Sequence, residues 1–242
     1  MERPPARWDD LRRFTPARVA LGRAGNGLPT AAHLAFQAAH AGARDAVHAA
    51  LDVAALEAAL SAAGLPSIAV QSAAVDRRTY LLRPDLGRRL RETDRMRLTA
   101  TPGAVVLVVC DGLSATAVQC HAVPLLVPVA RAIGQTAPIV IAEQGRVALG
   151  DEIGALMQAE AVAVLIGERP GLSAADSLGV YLTWQPRIGR TDAERNCISN
   201  IRADGLPPAA AAAKLFWLIG AMRRLRLTGV DLKDEQPAAL PG

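Results

Sequence analysis

Lysine is nearly missing from this chain and aromatic residues are scarce. Lys214 and Lys233 are its only lysines among 27 basic residues, and Phe, Trp and Tyr together make up 3% of the sequence. So few rings exclude the stacked aromatic platforms that single-stranded nucleic-acid binders use. The three cysteines, Cys110, Cys120 and Cys197, make no disulfide framework, so a reducing, intracellular protein is expected. The start of the chain lacks a basic, apolar, small-residue signal pattern, and no apolar run reads as long enough for a bilayer. A G-x-G-x-x-G fingerprint after a strand is also missing, which weakens a nicotinamide or flavin reading.

What is present is apolar bulk. Of 242 residues 51% are hydrophobic, with Ala the commonest, enough for a sizeable core of closely packed helices. The net charge of +4 is a mild excess of 27 basic over 23 acidic residues. Loose clusters at Arg12, Arg13, Arg18 and Arg23, and at Arg83, Arg88, Arg89 and Arg91, lie in no recognisable nucleic-acid module. Neither nucleic acid nor a membrane is expected as a partner.

The rhythm of the chain changes at Pro102-Gly103. Before it, an Arg- and Pro-rich arm carrying Trp8 and Phe14 leads into an Ala-rich helical section from Thr30, a plausible N-cap, to Ala63. Residues 67–80 read as extended, and a turn at Pro84 opens another helix. After it, β and α patterns alternate: strands at 104–109, 139–142, 161–166 and 178–184, with 196–201 a further candidate. Helices are expected at 115–133, broken or bent by Pro124 and Pro128, at 151–159 and from Pro207 to about Leu227. Everything past Pro237 reads as a short tail. Continuous apolar strands between helices predict an α/β fold, with a Rossmann-like, mostly parallel sheet covered by helices on both faces. A smaller, mainly helical N-terminal region precedes it. The expected division is 1–102 and 103–242.

In such a sheet the loops after the strands share one edge, where ligands bind. These loops are Asp111-Gly112-Leu113-Ser114, Glu143 to Val147, and Gly167 to Gly171, with the neighbourhood of Cys197 beside them. Asp111 reads either as a turn or cap residue or as a ligand group. Glu168 reads as an acceptor for ligand amides or hydroxyls, or as a surface partner of Arg169. Val147 alone would be core. Cys197 would be a small core residue, since no histidine follows it in the motif to make a Cys-His nucleophile. His33, His40 and His48 on the Ala-rich helix complete no metal spacing, nor do Cys120 and His121, and no metal site is expected.

Six strings carry a family resemblance: Ala17 to Gly25, Tyr80 to Leu90, Asp111 to Ser114, Gly145-Arg146-Val147, Gly167-Glu168-Arg169-Pro170-Gly171-Leu172, and Asn196-Cys197-Ile198-Ser199-Asn200-Ile201. In this order they resemble the small (light) subunit of ethanolamine ammonia-lyase, from about Leu11 to the last helix. The resemblance implies an adenosylcobalamin-dependent lyase that converts ethanolamine to acetaldehyde and ammonia. The large subunit, a (β/α)₈ barrel, would carry the radical chemistry, and the two subunits would assemble into a larger hetero-oligomer. The cobalamin contacts it implies on this chain are Val147, Glu168 and Cys197, with no catalytic residue. An Asp-x-His-x-x-Gly motif is missing, since Gly112 and Leu113 follow Asp111. The cofactor is therefore expected base-on, with no ligand to cobalt from this chain. The implied location is the cytoplasm or a bacterial microcompartment, although only a short arm precedes Leu11 where some relatives have a long extension. After Gly25 the chain reads Asn26-Gly27-Leu28-Pro29-Thr30 where relatives more often have a Pro- and Arg-rich turn. The alternative reading is a stand-alone nucleotide-dependent α/β enzyme.

Overall fold

The computed structural model describes residues 10–15, 17–134 and 137–235. Three apolar strands form the centre of one sheet: β2 (Val105–Cys110), β3 (Ile139–Glu143, apolar up to Ala142) and β4 (Ala161–Gly167). All of β2 and β4 is buried, as expected for strands covered on both faces. An edge strand β1 (Ser67–Gln71) extends the sheet beyond β3, while β5 (Leu178–Trp184) and β6 (Arg195–Ile201) extend it beyond β4. The order is β1-β3-β2-β4-β5-β6.

The first four strands are mutually parallel, whereas β5 and β6 are antiparallel to their neighbours. The sheet is therefore mixed, parallel in three of its five pairings and antiparallel in the two at the β6 edge. The cause lies in the connections. Helices α5 (Ala115–Ile133) and α6 (Leu149–Leu156) carry the chain across the sheet. The links at 168–177 and 185–194 hold no α-helix, so the chain doubles back instead of crossing over. Strand β1 lies on the N-terminal side of the expected boundary at residue 102, yet it pairs with β3 from Ser67↔Ile139 to Gln71↔Glu143.

Alternation along the strands separates two cores. Val105, Leu107 and Val109 face a layer containing α2 (Val53–Ala62), α5 and α7 (Pro208–Leu225). Val106, Val108 and Cys110 face α6, through Leu149 and Ile153. Helices therefore cover both faces of the central strands. Helix α5 runs through Pro124 and Pro128 without a break and ends at Gly134 in the left-handed conformation. It is also long and apolar enough to cross a membrane, contrary to the reading of the sequence. Here its apolar side, including Val118, Leu125 and Val129, is packed into the core.

The N-terminal section departs from expectation at four points. The helical stretch splits into α1 (Thr30–His48) and α2, because Asp52 caps a fresh start by accepting from the Ala55 amide at 2.9 Å. Thr30 is the first helical residue; the cap position is Pro29, which offers no side-chain bond. Residues 67–80 are extended only to Gln71. Asp76 accepts from the Thr79 amide at 2.7 Å and starts helix α3 (Arg77–Leu82), so a local capping bond overrides strand propensity. Beyond Pro84 there is only a 3₁₀ turn, Leu86–Arg88, before the short helix α4 (Glu92–Arg95). Helix α6 begins at Leu149, two residues before the expected start. Trp8 and the tail beyond Pro237 lie outside the described residues, and Phe14 is exposed.

Candidate functional site

From β2 the chain passes through α5 to β3 on one side, then through α6 to β4 on the other. The strand order thus reverses between β2 and β4, and a crevice at the carboxyl ends of these strands follows. Its floor is backbone against backbone. Gly112 has φ +56°, and a Cβ there would stand 2.3 Å from the Gly167 carbonyl oxygen; one on Gly167 would stand 2.1 Å from that of Ser114. The Leu113 amide donates to the Gly167 carbonyl at 2.9 Å. Only glycine lets the two loops close this tightly. Ser114 then caps α5 by accepting from the Ala117 amide, and its hydroxyl donates to the Ala175 carbonyl at 2.7 Å.

On one wall, Asp111 is buried to 1% exposure. It accepts from the Gly145 amide at 3.0 Å and faces the Arg77 guanidinium at 3.3 Å. Arg77 also donates to the carbonyls of Val47 (2.6 Å) and Gly112 (2.8 Å), and it lies over the Tyr80 ring at 4.8 Å. Arg146 covers the same ring at 4.5 Å, while the Tyr80 hydroxyl donates to the Gly145 carbonyl at 3.2 Å. Burial pushes the Asp111 pKa up from 3.8 to about 6, against the pull of Arg77 and the amides of Gln144, Gly145 and Gly112. Of the two roles left open for Asp111, the structure supports neither a simple turn nor an exposed ligand group. It is the hub that ties α3 to the loops after β2 and β3.

The opposite wall is built differently. Glu168 follows β4 directly. Its Oε2 accepts from the Ser177 hydroxyl at 2.5 Å and from the Asn200 amide at 3.3 Å. The Asn200 amide reaches it because β6 bulges: Asn200 has φ +57° and the β5–β6 register shifts between Leu178 and Val180. No ion pair joins Glu168 to Arg169, which is exposed, so the surface-pair reading of Glu168 falls. No described residue donates to Oε1, which stands 2.9 Å from where a Cβ on Gly179 would be. An acceptor is thus held in place with one oxygen left over.

Cys197 lies within β6, opposite Tyr181 of β5, rather than in a loop or in the core. Partial burial pushes its thiol above the usual range; the Tyr181 hydroxyl, hydrogen-bonded to it, opposes this and the Glu168 carboxylate adds to it. A thiol held protonated in this way suits packing and not nucleophilic attack. Beyond β4, the face of the sheet that α6 covers elsewhere is open. Cys197 and Ser199 are exposed there, while Ile198 and Ile201 are buried on the other face.

Tyr80, Gly112, Arg146, Val147, Glu168 and Tyr181 line one cleft of 420 Å³. Val147 and Glu168 therefore meet in one cleft, and Cys197 borders it through Tyr181. Reading the sequence missed Arg77 and both tyrosines. One signal was available: the chain has only two tyrosines, and both line this cleft. His121, within α5, faces Asp176 at 3.3 Å, and no group of His, Cys, Asp or Glu among the described residues could hold a metal ion.

The family model for the ethanolamine ammonia-lyase light chain (EutC) matches residues 5–233. The ethanolamine ammonia-lyase small subunit of Azotobacter vinelandii is 56% identical over 242 residues, covering 96% of this chain and 90% of the relative. That of Xanthomonas campestris pv. campestris is 53% identical over 249 residues, with 99% and 92% covered. That of Ralstonia nicotianae is 56% identical over 237 residues, with 94% and 88% covered. The chain belongs to the ethanolamine ammonia-lyase light-chain family.

Proposed function

We propose that this chain is the small subunit of an adenosylcobalamin-dependent ethanolamine ammonia-lyase, closing the cofactor site against the large subunit that carries the catalysis. The observation that supports this best is Glu168, fixed by Ser177 and Asn200 with Oε1 left without a donor. A corrin rim carries primary amides, and a fixed carboxylate oxygen is their natural acceptor. Gly179 keeps the space beside that oxygen open. Val147, Tyr181 and Cys197 supply the low, mostly apolar surface that a flat macrocycle needs. One fixed acceptor beside a mostly apolar surface therefore suits the cofactor.

When bound, the cofactor supplies a homolytically cleavable cobalt–carbon bond, which starts radical conversion of ethanolamine to acetaldehyde and ammonia. The residues of this chain hold and shield. Glu168 would accept from a rim amide, Val147 and Cys197 would pack on the ring, and Tyr181 would help exclude water. No side chain here is assigned to cobalt: no histidine lines the cleft, which suits the base-on state. The reversal of strand order between β2 and β4 supports a Rossmann-like description of the sheet. The larger hetero-oligomer and a cytoplasmic or microcompartment location belong to the same reading. The alternative of a stand-alone nucleotide-dependent enzyme finds little room, because Arg77 and the Gly167 backbone fill the loop after β2 where a phosphate would sit.

Co-expression with the large subunit tests the proposal. Ethanolamine deamination should need both chains and adenosylcobalamin. Glu168→Ala should weaken cofactor binding, followed by absorbance titration, about tenfold while the complex stays folded. Activity from this chain alone, or an unchanged affinity in the variant complex, would overturn it.

A further inference from the structure

A second groove, of 680 Å³, adjoins the cleft and shares Arg146 and Val147 with it. It runs between the 3₁₀ turn at Leu86–Arg88, the start of α6 and the loop around Gly189. Most of its charges are already answered within the chain. Asp85 pairs with Arg83, Glu152 with Arg95, Arg190 with Glu194, and the exposed Asp192 with Arg195 at 3.5 Å. Asp151 and Arg195 form a buried two-bond pair at 2.6 and 2.7 Å. Three cations remain without a carboxylate partner among the described residues: Arg88, Arg89 and Arg146. Of these, Arg146 is committed to the Tyr80 carbonyl and ring. Arg88 and Arg89 are exposed on the rim.

We propose that this groove receives the phosphodiester of the cofactor's nucleotide tail, with Arg88 and Arg89 as its ligands. This rests on the cobalamin reading above. A ring edge seated on Val147 has the groove as its direct continuation. The base-on tail, tethered to that ring, brings one anionic group, and Arg88 and Arg89 are the exposed cations of the groove that no carboxylate of the described residues pairs. Arginine rather than lysine suits a phosphate, because the planar guanidinium donates two parallel bonds to it.

The test uses the co-expressed complex and three ligands: adenosylcobalamin, adenosylcobinamide, which lacks the nucleotide tail, and adenosylcobinamide phosphate, which ends at the phosphate. Binding is measured by absorbance titration with the double variant R88Q/R89Q. The wild-type complex should prefer adenosylcobinamide phosphate over adenosylcobinamide, and the variant should lose about tenfold of that preference. Its affinity for adenosylcobinamide itself should not change. Equal losses for all three ligands, or no loss for any, would overturn the proposal. So would failure of the variant to co-purify with the large subunit, because the arginines would then serve the subunit contact. Glu168→Ala measured alongside keeps the two readings apart. If it weakens all three ligands while R88Q/R89Q weakens none, the cobalamin cleft stands and the phosphate groove falls. If it weakens none, the cleft itself is wrong.

Discussion

The two walls of the cleft are made of similar chemistry arranged to opposite ends. On the Asp111 wall, the carboxylate, the Arg77 guanidinium and the Tyr80 hydroxyl each find partners inside the chain. On the Glu168 wall, one carboxylate oxygen is held and the other has no described donor. The Asp111 wall is buried and its carboxylate is fully engaged within the chain, with Arg77 Nη2 and Arg146 Nε its unpartnered nitrogens; the Glu168 wall is half-buried and faces an open sheet surface. The contrast teaches that a charged residue in a crevice is not a ligand group by position alone. What matters is whether its bonds are already taken. Substitutions on the first wall should therefore cost folding, and those on the second should cost binding.

The largest effect is expected where the loops touch. Gly112→Ala forces a Cβ against the Gly167 carbonyl at a positive φ and should cost about 4 kcal/mol of stability, measured by denaturant unfolding. A well-folded variant would mean that the two loops can part. Next, Arg77→Met leaves Asp111 buried without its cation and should cost about 3 kcal/mol at neutral pH. That cost should shrink in acid as the carboxyl takes up a proton; a pH-independent cost would show that Arg77 acts through packing on Tyr80 alone.

Asp111 also predicts a slope in wild-type stability. Its folded pKa of about 6 exceeds the ordinary 3.8, so the folded chain keeps the proton to higher pH than the unfolded chain. Stability on this account is full below about 4 and falls as pH rises to about 6. Asp111→Asn should remove that slope in urea titrations across the window, and persistence of the slope would place its origin elsewhere.

On the other wall, Gly179→Ala presses on Glu168 Oε1 at 2.9 Å. Cofactor affinity of the assembled enzyme should fall severalfold, with less than about 1 kcal/mol lost in stability. The reverse pattern would break the contrast between the walls. Smallest of all, Cys197→Ser on the exposed edge strand should change stability by less than about 0.5 kcal/mol and affinity by no more than about twofold.

Much of this was legible in the residues. The all-apolar runs at 105–110 and 161–166 could only be covered strands, and the motifs at Gly145-Arg146-Val147 and Gly167-Glu168 lie where such strands end. Other features were not. Arg77 stands 34 positions from Asp111, on a helix that the extended look of residues 67–80 concealed. Asp76 was the local signal for that helix, and it competes with a strand-like stretch before it. Asn196 looks like part of a ligand motif, yet its side chain bonds Gly229 and Leu232 and fastens the C-terminal segment to β6. A motif string does not say which of its members face a ligand.

The sequence by itself determined the central strands, their buried character and the glycines that loops must have where backbones touch, because these follow from period, apolar content and allowed dihedral angles. Tertiary structure alone decided the direction of β5 and β6, which depends on how far a helix-free link can carry the chain. It alone decided, too, that Asp111 is answered by Arg77 while Glu168 keeps an oxygen unbonded. Hydrogen bonds between distant segments depend on which loops the fold brings together, and neither residue carries that information in its neighbours.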